Sequence, residues 1–260
     1  MGGAGTVAIV IPTLNEEDSI AAVVRALPRD IVARVIVADG GSRDATAERA
    51  RAAGADVVAP GRGYGRACLA GAWASDAEIV VFMDGDGADD PASIAALVAP
   101  IRAGAFDFVI ASRARGPREP GSIGWHQLLA GRLAGFGMRL LYGVRYTDMC
   151  AFRAIRRERL LALDMREMTY GWNIEMQMRA ARARLRILEI PVPYRRRIGG
   201  TSKVAGSLSG TLRAAGRIVA TFVRVARQSN MNGHSARAPS PPSGGEGAQA
   251  HVQAARERDA

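Results

Sequence analysis

The stretch Glu78-Ile-Val-Val-Phe-Met-Asp-Gly-Asp86 runs through five apolar residues without a polar break and then stops at two carboxylates one residue apart. A strand with one wet face alternates apolar and polar residues; an unbroken run belongs to a strand covered on both faces, the environment of a parallel sheet clad in helices. Similar short runs occur at Val7–Ile11, Val35–Ala38, Asp56–Ala59 and Phe108–Ala111, with helical patterns between them at about 16–27, 44–53, 64–75 and 91–104. This alternation predicts an α/β fold with a mostly parallel central sheet flanked by helices. In such sheets ligands sit outside the carboxyl ends of the strands. Those ends read Thr13-Leu-Asn-Glu16, Asp39-Gly-Gly-Ser42, Asp84-Gly-Asp86 and Ser112-Arg113.

Beyond Arg113 the pattern changes. Gly116-Pro-Arg-Glu-Pro-Gly121 reads as a linker, followed by helices near 123–142, 156–163 and 171–184 and a strand-like Leu185–Pro191, together a second lobe. Residues 204–228 place Leu208, Leu212, Ala215, Val219, Phe222 and Ala226 at alternating four- and three-residue spacings among arginines, an amphipathic basic helix. Residues 229–260 are rich in Ser, Pro, Gly, Ala and Gln and carry too little apolar surface to offset their ordering entropy. The expected organisation is 1–113, 114–203, 204–228 and a disordered tail from 229 to 260.

The 260 residues are 48% hydrophobic and 23% charged, an ordinary globular composition with ample length for a core. Thirty-five basic against 25 acidic residues suit an anionic partner without choosing among nucleic acid, lipid and phosphorylated small molecules. All but one of the basic residues are arginine, which makes Lys203 conspicuous. Cys68 and Cys150 form neither a disulfide framework nor a zinc pattern. No signal peptide or membrane span is expected, since the most apolar long stretch, Ile123–Tyr146, is interrupted by His126, Arg132, Arg139 and Arg145. The expected location is cytoplasmic, with peripheral contact on the inner face of the cytoplasmic membrane through 204–228.

Two carboxylates at a strand end can share a hard divalent cation, and Mg²⁺ is commonly held by one or two carboxylates plus substrate phosphates, so a nucleoside diphosphate is the natural partner of Asp84 and Asp86. Taken alone the pair is a weak signal and reads more readily as a solvated, helix-capping turn. Asp39-Gly-Gly-Ser42 and Pro12-Thr-Leu-Asn-Glu16 carry the same ambiguity between capping and ligand contact. A dinucleotide loop is excluded at Gly61-Arg-Gly-Tyr-Gly-Arg66, because Arg66 stands where the third glycine belongs and the segment does not follow the first strand. No zinc-finger spacing or aromatic RNA-binding motif is present and aromatic residues total 5%, so nucleic acid is not an expected partner.

Six segments in order resemble family 2 glycosyltransferases of the GT-A fold, and most closely the dolichyl- or polyprenyl-phosphate sugar synthase branch. They are Val10-Ile-Pro-Thr-Leu-Asn-Glu16, Ala38-Asp-Gly-Gly-Ser-Arg-Asp-Ala-Thr46, Gly61-Arg-Gly-Tyr-Gly-Arg-Ala67, Met83-Asp-Gly-Asp86, Thr147-Asp-Met-Cys-Ala-Phe-Arg153 and Arg197-Ile-Gly-Gly-Thr-Ser-Lys203. The resemblance implies an inverting transfer of a sugar from a UDP- or GDP-sugar to a polyprenyl phosphate, with a soluble phosphorylated or hydroxylated acceptor as the alternative. It implies that Pro12, Asn15, Glu16 and Asp39 line the nucleoside pocket, and that Asp84 and Asp86 hold Mg²⁺ or Mn²⁺. Arg113 and Arg132 would meet the acceptor phosphate, and Arg197, Ser202 and Lys203 would come from a loop closing on the phosphates. A phosphate acceptor needs no general base; a hydroxyl acceptor would, with Asp148 and Glu175 as candidates. Gly40 and Ala88 stand where the family often carries aspartate and the branch often carries glutamine.

Overall fold

The computed structural model describes residues 5–198, 216 and 218–227. Strands β1 (Val7–Thr13), β2 (Arg34–Asp39), β3 (Asp56–Val58) and β4 (Ile79–Phe82) alternate with helices α1 (Ile20–Arg25), α2 (Thr46–Ala52) and α3 (Tyr64–Trp73). A 3₁₀ turn at Pro91–Ser93 leads into α4 (Ile94–Arg102) and β5 (Phe108–Ser112). There follow α5 (Trp125–Tyr142), β6 (Arg153–Arg156), α6 (Arg157–Ala162), α7 (Trp172–Arg182) and β7 (Ile187–Pro191). Residues 218–227 form a further helix, α8.

The strands make one seven-stranded sheet in the order β3-β2-β1-β4-β6-β5-β7. All pairings are parallel except the two made by β6, so β6 alone runs against the other six. Every residue of β1, β4 and β5 is buried, as their unbroken apolar runs require. Alternation along β1 divides the interior: Ile9 and Ile11 face a layer with Val23, Val24, Leu97 and Ile101 from α1 and α4, whereas Val10 faces Cys68, Met138 and Trp172 from α3, α5 and α7. The Trp172 ring meets Phe82 edge-on at 6.2 Å between centroids. Close approach fixes α5 as well, since a Cβ on Gly135 would stand 1.9 Å from the Tyr146 carbonyl oxygen.

The strand and helix runs expected up to Ser112 are all present. The segment after Arg113 is not a separate lobe, because β6 and β7 complete the same sheet. β6 is absent from the sequence reading for a physical reason: Arg153-Ala-Ile-Arg156 has no long apolar run, and its burial comes from insertion between β4 and β5. Of the expected amphipathic helix, α8 lies within the described residues; it buries Thr221 and Val225 on the second core layer while Val219 and Val223 face outward. Among the described residues no helix is long and apolar enough to cross a membrane. The tail 229–260 lies outside the described residues.

Candidate functional site

Six strands of one direction deliver their carboxyl ends to a single edge of the sheet, and reversed β6 brings the segment before it, Thr147–Phe152, to that same edge. The polar motifs therefore converge although they are scattered along the chain.

The loops after β1 and β2 are bonded to each other. The Asn15 amide donates to Ser42 Oγ at 2.8 Å, Asn15 Oδ1 accepts from the Arg43 amide at 2.9 Å, and the Glu16 amide donates to Thr46 Oγ1 at 2.8 Å. Asn15 holds φ of 51°, a left-handed conformation that asparagine tolerates better than most residues. Buried Asp39 accepts from the amides of Gly41 and Ser42 at 3.3 and 3.0 Å and from the hydroxyls of Thr13 and Ser42. It organises the turn, while exposed Asn15 and the partly exposed Glu16 rim the cleft. Pro12 is buried in β1 opposite Ala38.

Beside this wall, Ser19 Oγ donates to the Gly85 carbonyl at 2.7 Å and pins the Asp84-Gly-Asp86 turn. Asp84, Asp86 and Asp89 gather there. Burial and the neighbouring Asp86 charge push the Asp84 carboxyl up to about 6, although Arg113 and Arg197 act against the rise. Burial, with the charges of Asp84 and Asp86, also raises Asp89 well above the usual carboxylate range. Asp86 Oδ2 pairs with Arg197 Nη2 at 2.9 Å, and Asp86 Oδ1 accepts from the Ala88 amide at 2.9 Å. The backbone of the Arg197 segment is strapped to the same turn, Ile198 N to Asp86 O and Arg195 N to Ala88 O, each at 2.9 Å. Crowded, partly desolvated carboxylates answered by arginines are short of positive charge, and a divalent cation fits that deficit. Among the described residues no three His, Cys, Asp or Glu side chains converge on one metal position, so a cation on Asp84 and Asp86 would complete its shell from ligand phosphates and water.

On the far side, Arg113 grips Asp148 through two 2.8 Å bonds, Nε to Oδ2 and Nη2 to Oδ1, and stacks over the Tyr194 ring with 5.0 Å from Cζ to the centroid. The amides of Arg113 and Met149 donate to the same carboxylate at 3.0 and 2.7 Å. Burial pushes Asp148 up, yet the bonds and charge of Arg113 outweigh it and hold the group below its ordinary value. Asp148 is thereby an anchor for Arg113 more than a free base. Glu175, the other base candidate, is corrected outright. It is fully buried and accepts from the amides of Arg166 and Glu167 at 2.9 and 2.6 Å and from Arg179 Nε at 3.0 Å, so no substrate proton is within reach. Arg132 lies exposed on α5, one residue beyond Gly131, whose missing Cβ would stand 3.3 Å from the Thr147 carbonyl oxygen. Ser202 and Lys203 lie outside the described residues.

Three supporting residues had no role legible in the sequence, although Tyr64 and Arg153 lie within the family-like segments. Glu189 on β7 accepts from the Thr147 amide and hydroxyl, both at 2.9 Å, and from the Asp148 amide at 3.2 Å; a carboxylate inside the apolar run Ile187–Pro191 was its signal. Tyr64 donates to Asp84 Oδ1 at 3.4 Å. Fully buried Arg153 donates to the carbonyls of Ala151 and Cys150 and, at 3.2 Å, of Asn173, which sets the path of the chain into β6.

Comparison with known proteins identifies relatives of this chain. Residues 8–162 match glycosyl transferase family 2. A Mycobacterium tuberculosis glycosyltransferase of uncharacterized activity is 38% identical over 211 residues, covering 79% of this chain and 93% of the relative. An undecaprenyl-phosphate mannosyltransferase of Micrococcus luteus is 31% identical over 221 residues, covering 77% and 88%. Among solved structures, glucosyl-3-phosphoglycerate synthase from Mycobacterium tuberculosis, in complex with Mn²⁺, UDP-glucose and phosphoglyceric acid, superposes with a TM-score of 0.69 at 26% identity, covering 85% of this chain and 79% of that one.

Proposed function

The chain belongs to glycosyl transferase family 2, and from that premise we propose that it moves a sugar from a UDP- or GDP-sugar to a polyprenyl phosphate with inversion at the anomeric carbon. One observation carries the choice of a phosphate acceptor. The two carboxylates that the sequence offers as bases toward a hydroxyl are both committed, Asp148 to Arg113 and Glu175 to Arg179 and two backbone amides. An acceptor phosphate is already anionic at neutral pH and needs only positioning and relief of its repulsion from the donor diphosphate. The similarity to an undecaprenyl-phosphate mannosyltransferase supports a lipid carrier.

In this reading Asn15, Glu16 and the Asp39 turn border the nucleoside. Asp84 and Asp86 would hold Mg²⁺ or Mn²⁺, which when bound offsets the charge building on the departing nucleoside diphosphate. Arg113, rigid between Asp148 and Tyr194, meets the acceptor phosphate together with Arg132. Arg197 leaves Asp86 for the diphosphate, and Ser202 and Lys203 follow it in the same segment. Apart from Arg113 and the 197–203 segment, which cross over, residues 1–113 serve the donor and 114–203 the acceptor, while 204–228 contacts the membrane from the cytoplasmic side.

Similarity to a synthase solved with phosphoglyceric acid favours a second reading, a soluble phosphorylated acceptor. Acceptor competition separates the two. Short-chain polyprenyl phosphate, the matching polyprenol and 3-phosphoglyceric acid are offered against one labelled donor. The proposal expects product from the polyprenyl phosphate alone; product from phosphoglyceric acid alone would transfer the reading to soluble acceptors, and product from the free alcohol would overturn the base-free mechanism.

A further inference from the structure

Helix α5 is covered on one side only. Leu129, Leu133, Phe136 and Leu140 are 47%, 63%, 60% and 71% exposed, a density of large apolar side chains in water found nowhere else among the described residues. Their spacing of four, three and four residues lines them along one stripe about 60° wide at ~100° per residue. Opposite the stripe, Met138 is buried in the core. The stripe continues sideways onto α8. A Cβ on Gly137 would stand 2.8 Å from Phe222 Cζ, so the Phe222 ring rests on bare helix backbone and brings α8 alongside. From α8, Val219 and Val223 add 62% and 40% exposed side chains to the same outward surface. α8 is held there by Thr221 and Arg224, which donate to Glu167 Oε2 at 3.0 and 3.1 Å.

Charge identifies what covers this surface. Between Glu119 and Asp148 the chain carries Arg132, Arg139 and Arg145 and no acidic residue, and from Ile190 to Gly245 it again has none. Arg132 and Arg139 are exposed and lie about 70–90° round the helix from the centre of the stripe, along the edge away from α8. A second copy of the chain would bring an equally cationic rim against this one across a two-fold axis, a like-charge contact that opposes pairing. An apolar ridge edged only by arginines fits an anionic lipid surface, with the ridge at the acyl boundary and the guanidinium groups among the headgroups.

We propose that the joint outward face of α5 and α8 docks in the plane of an anionic bilayer, with α5 as the principal contact. α5 also backs onto the segment that holds Arg113, since Gly131 abuts Thr147 and Asp148, so docking sets the acceptor side of the cleft at headgroup height. The purpose of docking rests on the polyprenyl-phosphate reading; its measurement does not.

The test is flotation of the full chain with vesicles of phosphatidylcholine alone and of phosphatidylcholine with phosphatidylglycerol in equal parts. Binding is expected on the mixed vesicles, falling with salt. Replacing Leu133, Phe136 and Leu140 together by serine is expected to weaken it on the order of a hundredfold, and Arg139→Ser by roughly fivefold. A thermal melt of each variant reports folding, and a single Phe136→Trp replacement gives a reading that needs no destabilising change. Its difference fluorescence shifts to the blue on mixed vesicles and is quenched by brominated acyl chains. Failure of the wild-type chain to float, unchanged flotation of the folded serine variant, or an unshifted difference signal from the Phe136→Trp variant would each overturn docking. A dimer that sediments intact for wild type, splits in the serine variant and never floats would overturn it in favour of self-association. Flotation without transfer to polyprenyl phosphate removes the acceptor reading and keeps docking; transfer in detergent without flotation does the reverse.

Discussion

The carboxylates at the cleft do different work because their partners differ. Asp148 commits both oxygens to Arg113 and Met149, whereas Asp86 gives one oxygen to the Ala88 amide and the other to a single contact with Arg197, whose side chain borders solvent. Replacing Asp148 by Asn removes the charge that answers a largely buried guanidinium. Stability is expected to fall by about 3 kcal/mol, read from urea unfolding, and transfer by at least about a hundredfold through loss of Arg113 positioning. Glu175→Gln separates structure from chemistry in the opposite sense. Its urea midpoint should drop, because Arg179 loses its partner, while kcat per folded enzyme and the acid limb of the pH–rate profile stay as in wild type; a lost acid limb would restore Glu175 as a base. The reach of sequence at this scale followed residue type. Asp84, Asp86 and Arg113 stood out because they end apolar runs. Glu189 and Arg153 did not, since their partners are backbone groups and side chains brought near only by the sheet.

At the scale of elements, β5 and β7 are tied at their starts by Asp107, which accepts from Arg186 Nε and Nη2 at 3.0 and 2.8 Å. The Arg186 guanidinium beside it lowers the Asp107 carboxyl to about 2 from an ordinary 3.8. A carboxyl depressed on folding stabilises the protein above its unfolded value, and that contribution fades as pH falls from about 4 through about 2. Asp107→Asn should therefore lower the melting temperature at neutral pH and converge on wild type near pH 2, as followed by circular dichroism. Trp172→Ala, which empties a fully buried site against Phe82, should cost about 3–5 kcal/mol. Elements buried on both faces were legible from their apolar runs and helices from their period. β6 was not, because an antiparallel strand carrying arginine at both ends owes its place to its neighbours on either side.

Over the whole molecule, one directional choice accounts for the site. Six strands share a direction, so the loops after β1 and β2, the carboxylate turn and Arg113 meet at one edge, while reversed β6 carries Asp148 there to hold Arg113. The fold family was legible because its motifs sit at those ends in order. The single sheet running through both halves was not, since a Gly/Pro-rich stretch after Arg113 looks the same whether it joins two bodies or crosses one. The proposed activity is sugar transfer to a phosphate carrier at the Asp84-Gly-Asp86 turn. Its most direct test is transfer of labelled sugar from a panel of UDP- and GDP-sugars to polyprenyl phosphate, with and without Mg²⁺ or Mn²⁺, beside Asp86→Asn. Label in the organic phase that needs both the metal and Asp86 is the predicted result; label that survives without metal or in Asp86→Asn, or no lipid product from any donor, would contradict it.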